Sequence, residues 1–242
     1  MINFFSYFLI FLLIKKKIKT TLETKIEMET EFILLIMNCQ KYREKAAKQK
    51  ETWLQHLPKE IQYFHVLGNS ELSVEYEFKI GEKELWIQNK DDYNSLPHKV
   101  IGAYEAIHKQ FENVKYIFKT DDDQHLENPD KFFGIIMKLL REKVPKIHYG
   151  GNVVDVKNSY LSQYHKIHAE LPRYLPVFQT KYCSGRFYFL SQEACLFLTD
   201  CKRKDNISQE YLEDYAIGYC LSEEFKKNMF HIDTNKYFKD NL

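Results

Sequence analysis

Apolar residues run unbroken through FILLIM, Phe32 to Met37, a strand-length stretch suited to burial on both faces, which favours a parallel sheet. KYREKAAKQKETWLQHL, Lys41 to Leu57, follows with good helix formers and with Trp53 and Leu54 near its end; IQYFHVLG, Ile61 to Gly68, reads as a second strand. A short strand, ELWIQ from Glu84, precedes residues 91–111, where Val100, Tyr104, Ile107 and Phe111 recur at helical spacing. VKYIFK, Val114 to Lys119, is another strand, and Asn128 with Pro129 supplies a cap and a first-turn residue for the helix DKFFGIIMKLLRE. Further on, LPVFQTKYCSGRFYFLS joins a Pro-marked loop, a Ser184-Gly185 turn and an aromatic strand, and QEACLFL continues as an amphipathic helix. In SQEYLEDYAIGYCLS, Leu212, Tyr215, Tyr219 and Cys220 share one helical face. This rhythm predicts an α/β fold with one domain over residues 31–242.

The first residues break the rhythm. INFFSYFLIFLLI, Ile2 to Ile14, is followed at once by Lys15, Lys16, Lys17 and Lys19. As a helix it would reach only about 20 Å, short of a hydrocarbon core of about 30 Å. It lacks the leading positive charges and the small-residue cleavage site of a secretory signal. Residues 1–30 therefore read as an apolar segment and a linker, with residues 2–14 suited to weak membrane anchoring. The lysines after the apolar stretch favour the cytosolic side. The net charge of +1 gives no ground for a nucleic-acid partner. The five cysteines show no C-x-x-C spacing, which argues against structural zinc; a Cys183–Cys220 disulfide and simple buried thiols both stay open.

Candidate chemistry centres on Asp121, Asp122 and Asp123, crowded directly after the VKYIFK strand. Like charges this close must face water or hold a cation. An acidic loop is commonly a solvated turn, but the carboxyl end of a strand is where ligands bind in open α/β sheets. Carboxylate oxygens suit Mg²⁺ or Mn²⁺, and such an ion completes its shell with waters and substrate phosphates. Glu213 and Asp214 open a later helix, where acidic residues fit the macrodipole; Asp214 is also a candidate general base.

In order along the chain stand Lys50-Glu51-Thr52-Trp53, FHVLG, DDYNSLPHK, KTDDDQHLENP, YCSGRFYFLS and LEDYAIGYCLS. Together they resemble the β-1,3-galactosyltransferase-like family of inverting glycosyltransferases, which also holds β-1,3-N-acetylglucosaminyltransferases and fringe proteins. The resemblance covers roughly Glu31 to Asp233. It implies a GT-A fold: a single nucleotide-sugar-binding α/β domain with a central, mainly parallel mixed sheet flanked by helices. It also implies a UDP-sugar donor, Mn²⁺ or Mg²⁺, a glycan or glycoprotein acceptor, and a Golgi or endoplasmic reticulum membrane setting. Carried over by position, Asp123, Asp121 and His231 are the expected metal ligands, Asp91, Lys99, Asp121 and Asp122 line the nucleotide side, and Asp214 is the catalytic base. The transferred sugar would be galactose, N-acetylglucosamine or glucose, joined by a β-1,3 linkage.

Gln49 stands where the family usually has an apolar residue, Arg186 and Phe187 where it often has glycines, and Tyr215 where it has Val. These departures bear on the acceptor pocket. Two other readings remain: a degenerate binding module of the same fold, and a Mg²⁺-dependent phosphohydrolase, which lacks the dispersed carboxylates a two-metal site needs.

Overall fold

The computed structural model of the chain describes residues 30–240, so the apolar segment and most of the linker expected over residues 1–30 lie outside the described residues. Strand β1 (Phe32–Met37) is buried along its whole length, and its alternation divides the core in two. Ile33, Leu35 and Met37 enter one cluster and Phe32, Leu34 and Ile36 the other. Both faces are therefore apolar, as the unbroken run anticipates.

Eight strands form the main sheet in the order β11-β7-β10-β5-β1-β2-β4-β3. β2 (Ile61–Gly68) and β5 (Tyr116–Asp121) flank β1 in parallel. β4 (Glu84–Ile87) extends this parallel centre beyond β2, and the edge strand β3 (Tyr76–Lys79) pairs antiparallel with β4. On the other side lie β7 (Tyr149–Val156), β10 (Thr180–Ser191) and β11 (Phe230–His231). β10 runs antiparallel to both β5 and β7. The fold class is thus the expected α/β sandwich with a mixed sheet. Two short ribbons stand apart, β6 (Gln124–Leu126) with β12 (Phe238–Asp240) and β8 (Tyr160–Leu161) with β9 (Pro176–Val177).

Helices cover both faces. The first, α1 (Arg43–Glu51), is shorter than its pattern predicts, because the chain turns at Thr52 so that Trp53 and Leu54 can bury. α2 (Leu96–Gln110) packs Val100, Ile101, Tyr104 and Ile107 on one face of the sheet. It starts later than expected, after a 3-10 turn at Tyr93–Ser95 capped by Asp92. α3 (Pro129–Glu142) begins at the proline, as expected, and covers the opposite face with Phe132, Phe133, Ile136 and Met137. α4 (Gln192–Leu198), α5 (Cys201–Ser208) and α6 (Glu213–Cys220) complete the layer beside α2, and the short α7 (Glu223–Lys226) leads to β11. α6 approaches β10 closely because residue 218 is glycine: a Cβ there would stand 2.3 Å from Tyr182 Cβ. All five cysteines, Cys183 and Cys220 included, are free thiols. Among the described residues, no helix is long and apolar enough to cross a membrane.

His65 is buried and His108 half-buried. Burial lowers the imidazole of His65 to about 3 and that of His108 to about 4. In the unfolded chain both take up a proton below about 6.5. The unfolded state then binds more protons than the folded one, so stability is intact above that pH and falls as the pH drops towards the folded values. Each histidine is expected to cost about 1.4 kcal/mol per pH unit over that window. Urea midpoints at pH 7.5 and pH 5 read the loss, and His108→Leu should remove one of the two shares.

Candidate active site

Alternation along β5 sends Phe118 to the α3 side of the sheet and Ile117 and Lys119 to the side of α2 and α6, with Asp121 following at the strand end. The chain then turns through Asp122 and Asp123 into β6. Buried polar side chains pin this turn. Gln49 donates from Nε2 to the carbonyls of Asp121 at 3.1 Å and Gln124 at 3.0 Å, and Trp53 Nε1 donates to Gln124 at 3.1 Å. The Gln49 Oε1 faces His65 Nε2 at 3.1 Å. A polar residue at position 49, unexpected from the resemblance, is thus accounted for by its partners: it donates to two carbonyls of the turn, which an apolar side chain could not.

The three aspartates have separate surroundings. Asp122 accepts from Asn38 Nδ2 at 2.8 Å and faces Lys45 at 3.5 Å, while burial first, opposed by Lys45, pushes its carboxyl up to about 6. Asp123 Oδ1 accepts from Gln124 Nε2 at 2.8 Å. Asp121 Oδ1 meets Lys119 at 2.7 Å, with a third of its side chain exposed.

Lys119 is the hub. It is buried, and besides Asp121 it contacts Glu213 at 3.1 Å and donates to the Gly185 carbonyl at 2.9 Å. Burial opposes its charge, but Asp121 and Glu213 outweigh burial and hold the ammonium above its usual range. Glu213 in turn accepts from the Tyr188 hydroxyl, which lies 2.6 Å from the Tyr104 hydroxyl. Burial pushes the carboxyls of Asp121, Glu213 and Asp214 up, and Lys119 pulls each back.

Asp214, in the first turn of α6, accepts from the Tyr215 N–H at 2.8 Å and the Gly185 N–H at 2.9 Å. Gly185 lies where the β10–β7 register slips between Cys183 and Tyr188. The slip carries the bare glycine between the carboxylates. A Cβ at residue 185 would stand 3.6 Å from Asp121 Oδ2, 3.6 Å from Asp214 Oδ2 and 3.3 Å from Lys119 Nζ. The structure therefore brings Asp121 and Asp214 together across one glycine. Gly185→Ala should slow turnover about 10- to 100-fold, on the scale set by small misplacements of reacting groups. Initial rates beside thermal melting would separate that loss from unfolding.

Asp91 and Lys99 form a second network at the carboxyl ends of β1 and β2. Asp91 accepts from Gly68 N–H at 2.9 Å, Gln40 N–H at 2.6 Å and Lys99 at 2.8 Å; Lys99 also donates to the Asn38 carbonyl at 2.7 Å. These bonds tie together loops that end parallel strands, the usual place for a nucleotide. Asn38 links this network to Asp122.

His231, expected among the metal ligands, stands on the edge strand of the main sheet. It is exposed on β11, its Nδ1 accepts from the Val153 N–H at 3.2 Å, and β7 and β10 lie between β11 and β5. Among the described residues, no three His, Cys, Asp or Glu side chains gather where they could hold a metal ion by themselves. Asp121 and Asp123 both offer carboxylate oxygen, the donor type that suits a hard cation completing its shell with waters and ligand oxygens.

Lys119, Glu213 and Gly185 join the site although none stands among the site residues the sequence singles out. A charged residue inside an otherwise apolar strand, Lys119 in YIFKTD, was the available signal. β7, whose pairing with β10 carries the slip at Gly185, has no strand signal in the sequence.

Fold and site together define an α/β protein whose carboxylates gather around a buried lysine at the carboxyl end of a central parallel strand. Residues 43–226 match the family model described as "Galactosyltransferase", and the chain belongs to that family. It is 27% identical over 200 residues to the UDP-GalNAc:beta-1,3-N-acetylgalactosaminyltransferase 1 of Rattus norvegicus, covering 78% of this chain and 57% of that protein. Against the Homo sapiens protein of the same name it is 29% identical over 150 residues, covering 61% and 43%. The chain thus spans about half the length of these curated relatives. A crystal structure of a glycosyltransferase involved in the glycosylation of the major capsid of PBCV-1 aligns over 84% of this chain and 82% of that one, at 11% identity and a TM-score of 0.42.

Proposed function

We propose that this chain is an inverting, metal-dependent hexosyltransferase. It moves a hexose or N-acetylhexosamine from a UDP-sugar to a hydroxyl of a glycan or glycoprotein, forming a β-1,3 linkage. The observation that carries this reading is the pair of Asp121 and Asp214 carboxylates facing one point beside Gly185. The family adds support.

Glycosyl transfer needs a deprotonated acceptor hydroxyl and a stabilised leaving diphosphate. Asp214 takes the acceptor proton as that oxygen attacks the anomeric carbon from the face opposite UDP. Two backbone N–H groups fix the carboxylate for this role, and its raised proton affinity improves it as a base. Asp121 and Asp123 would hold the cation, while Lys119 holds Asp121 in place. A bound Mn²⁺ or Mg²⁺ supplies charge neutralisation on the departing diphosphate. Asp91 and Lys99 shape the nucleotide side by fixing the loops after β1 and β2.

A Golgi or endoplasmic reticulum setting belongs to the same reading. Asn206 of the Asn206-Ile207-Ser208 sequon is exposed on α5, open to N-glycosylation in a lumen.

Titration of the protein with UDP and a panel of UDP-sugars, with and without Mn²⁺, tests the proposal. Mn²⁺-dependent binding is expected, weakened at least tenfold in Asp123→Ala, together with UDP release when an acceptor is added. Metal-dependent binding without turnover across varied donors and acceptors would mark a binding module instead. No binding by the folded protein would return the triple Asp to an acidic turn.

A further inference from the structure

The turn that carries Asp123 is held from β12 as well as from α1. β12 pairs antiparallel with β6 in a register that sets Asp240 opposite Gln124 and Phe238 opposite Leu126. Phe238 is buried and packs against Phe132 and Phe187, with ring centroids 5.3 and 5.2 Å away, so the ribbon is docked on the core. Gln124 is itself buried, and its Nε2 donates to Asp123 Oδ1 and to Asp240 Oδ1, each at 2.8 Å. Only the amino end of an amide suits a place between two carboxylates, since its two hydrogens serve one each. This orientation leaves Gln124 Oε1 buried without a hydrogen-bond partner among the described residues.

Arg186 compensates the second carboxylate. Its Nη2 donates to both Asp240 oxygens, at 2.7 and 2.6 Å, and its Nη1 donates to Asn235 Oδ1 at 2.9 Å. The guanidinium therefore neutralises Asp240, which would otherwise set another negative charge against Asp123. Arg186 follows Gly185 in the register slip, and its carbonyl accepts from Thr120 Oγ1 at 2.7 Å, one residue before Asp121. One chain of contacts thus leads from β5 through Arg186, Asp240 and Gln124 to Asp123. Gln49 and Arg186 both depart from the family pattern, and both serve this one turn: Gln49 holds its backbone, while Arg186 holds it through side chains. The Arg186 side chain is accordingly engaged on β12.

We propose that Arg186 and Asp240 are positioning residues for Asp123: through the Gln124 amide they fix its Oδ1, so that Oδ2 is the oxygen offered to the cation. This rests on the metal-dependent transferase reading. A carboxylate that binds a hard cation gains from being oriented by a neutral donor, which brings no competing charge. A guanidinium in direct contact with Asp123 would compete with the cation for the carboxylate. Placed on Asp240 instead, with the amide between them, it steadies the ligand and leaves the charge of Asp123 to the metal.

The probe is Mn²⁺, added to the full chain with and without UDP, its free concentration read by the electron paramagnetic resonance of the aquo ion. Asp240→Ala and Arg186→Met are each expected to raise the Mn²⁺ Kd about tenfold, the scale for groups that orient a metal ligand. Arg186→Met separates two causes: by charge alone, removing a nearby cation tightens Mn²⁺ binding, whereas loss of positioning weakens it. The double variant should bind about as weakly as either single one, because both act through Gln124. Arg186→Lys keeps the charge and a donor to Asp240 and should recover most of the affinity. Lys146→Met, which breaks the exposed Lys146–Glu193 pair, is the control and should leave the Kd unchanged. Thermal melting of each variant gives its folded fraction. A lowered melting temperature with an unchanged Mn²⁺ Kd, or a tighter Kd in Arg186→Met, overturns the proposal, and wild-type UDP release then leaves the transferase reading in place. Weakened Mn²⁺ binding in both variants of a protein that releases no UDP with any donor and acceptor upholds the positioning role and removes the transferase reading. A folded wild type that binds no Mn²⁺, with or without UDP, overturns both.

Discussion

Asp214→Asn should lower kcat for glycosyl transfer by about 10²- to 10⁴-fold, the range a positioned general base contributes. The amide keeps the shape of the carboxylate but has no basic oxygen to take the acceptor proton. Its single amide oxygen can keep only one of the two backbone bonds, since the Gly185 N–H uses Oδ2 and the Tyr215 N–H uses Oδ1, so thermal melting is measured beside the rates to separate lost positioning from lost basicity. Steady-state rates beside UDP binding check this. A variant that binds UDP with Mn²⁺ as the wild type does, yet fails to release UDP in the presence of acceptor, places the defect in proton removal. Near wild-type turnover would mean that another group accepts the proton.

Lys119→Met is expected to cost about 3–5 kcal/mol of folding stability, the scale for removing one partner of a buried ion pair. The methionine fits the volume but leaves Glu213 and Asp121 without their cation and the Gly185 carbonyl without its donor. Glu213 is fully enclosed and would then take a proton to stay buried. Urea unfolding at pH 7 measures the loss. Adding Glu213→Leu should recover part of it, because a charge that is absent needs no partner. A single variant as stable as the wild type would show that the carboxylates, and not the ammonium, set the balance.

Particular residues show how much of this was written in the sequence. Phe32 to Met37 announced a doubly buried strand because apolar side chains at consecutive positions can satisfy two faces only inside a sheet. The carboxylates of Asp121 to Asp123 announced a polar site because their repulsion has to be relieved by water or a cation. The motif order from Thr52 to Leu221 pointed to the family that residues 43–226 match. Elements without a clear period were hidden. β7 begins Tyr-Gly-Gly, and β8, β9, β11 and β12 have two or three residues each, too few to show alternation. The position of β11, the strand of His231, is hidden for a related reason: distance along the chain after α6 does not say which edge of the sheet receives the strand.

The sequence by itself therefore determined the α/β class, the parallel centre of the sheet and the acidic strand end, since these follow from local pattern and the cost of burying polar groups. Only the tertiary structure decided which carboxylates face each other. Asp121 and Asp214 lie on different elements, and their meeting depends on the antiparallel insertion of β10 beside β5, the register slip that presents Gly185, and the buried ammonium of Lys119 between the two elements. Long-range strand pairing and charge compensation join residues far apart in the chain, and no local pattern reports them.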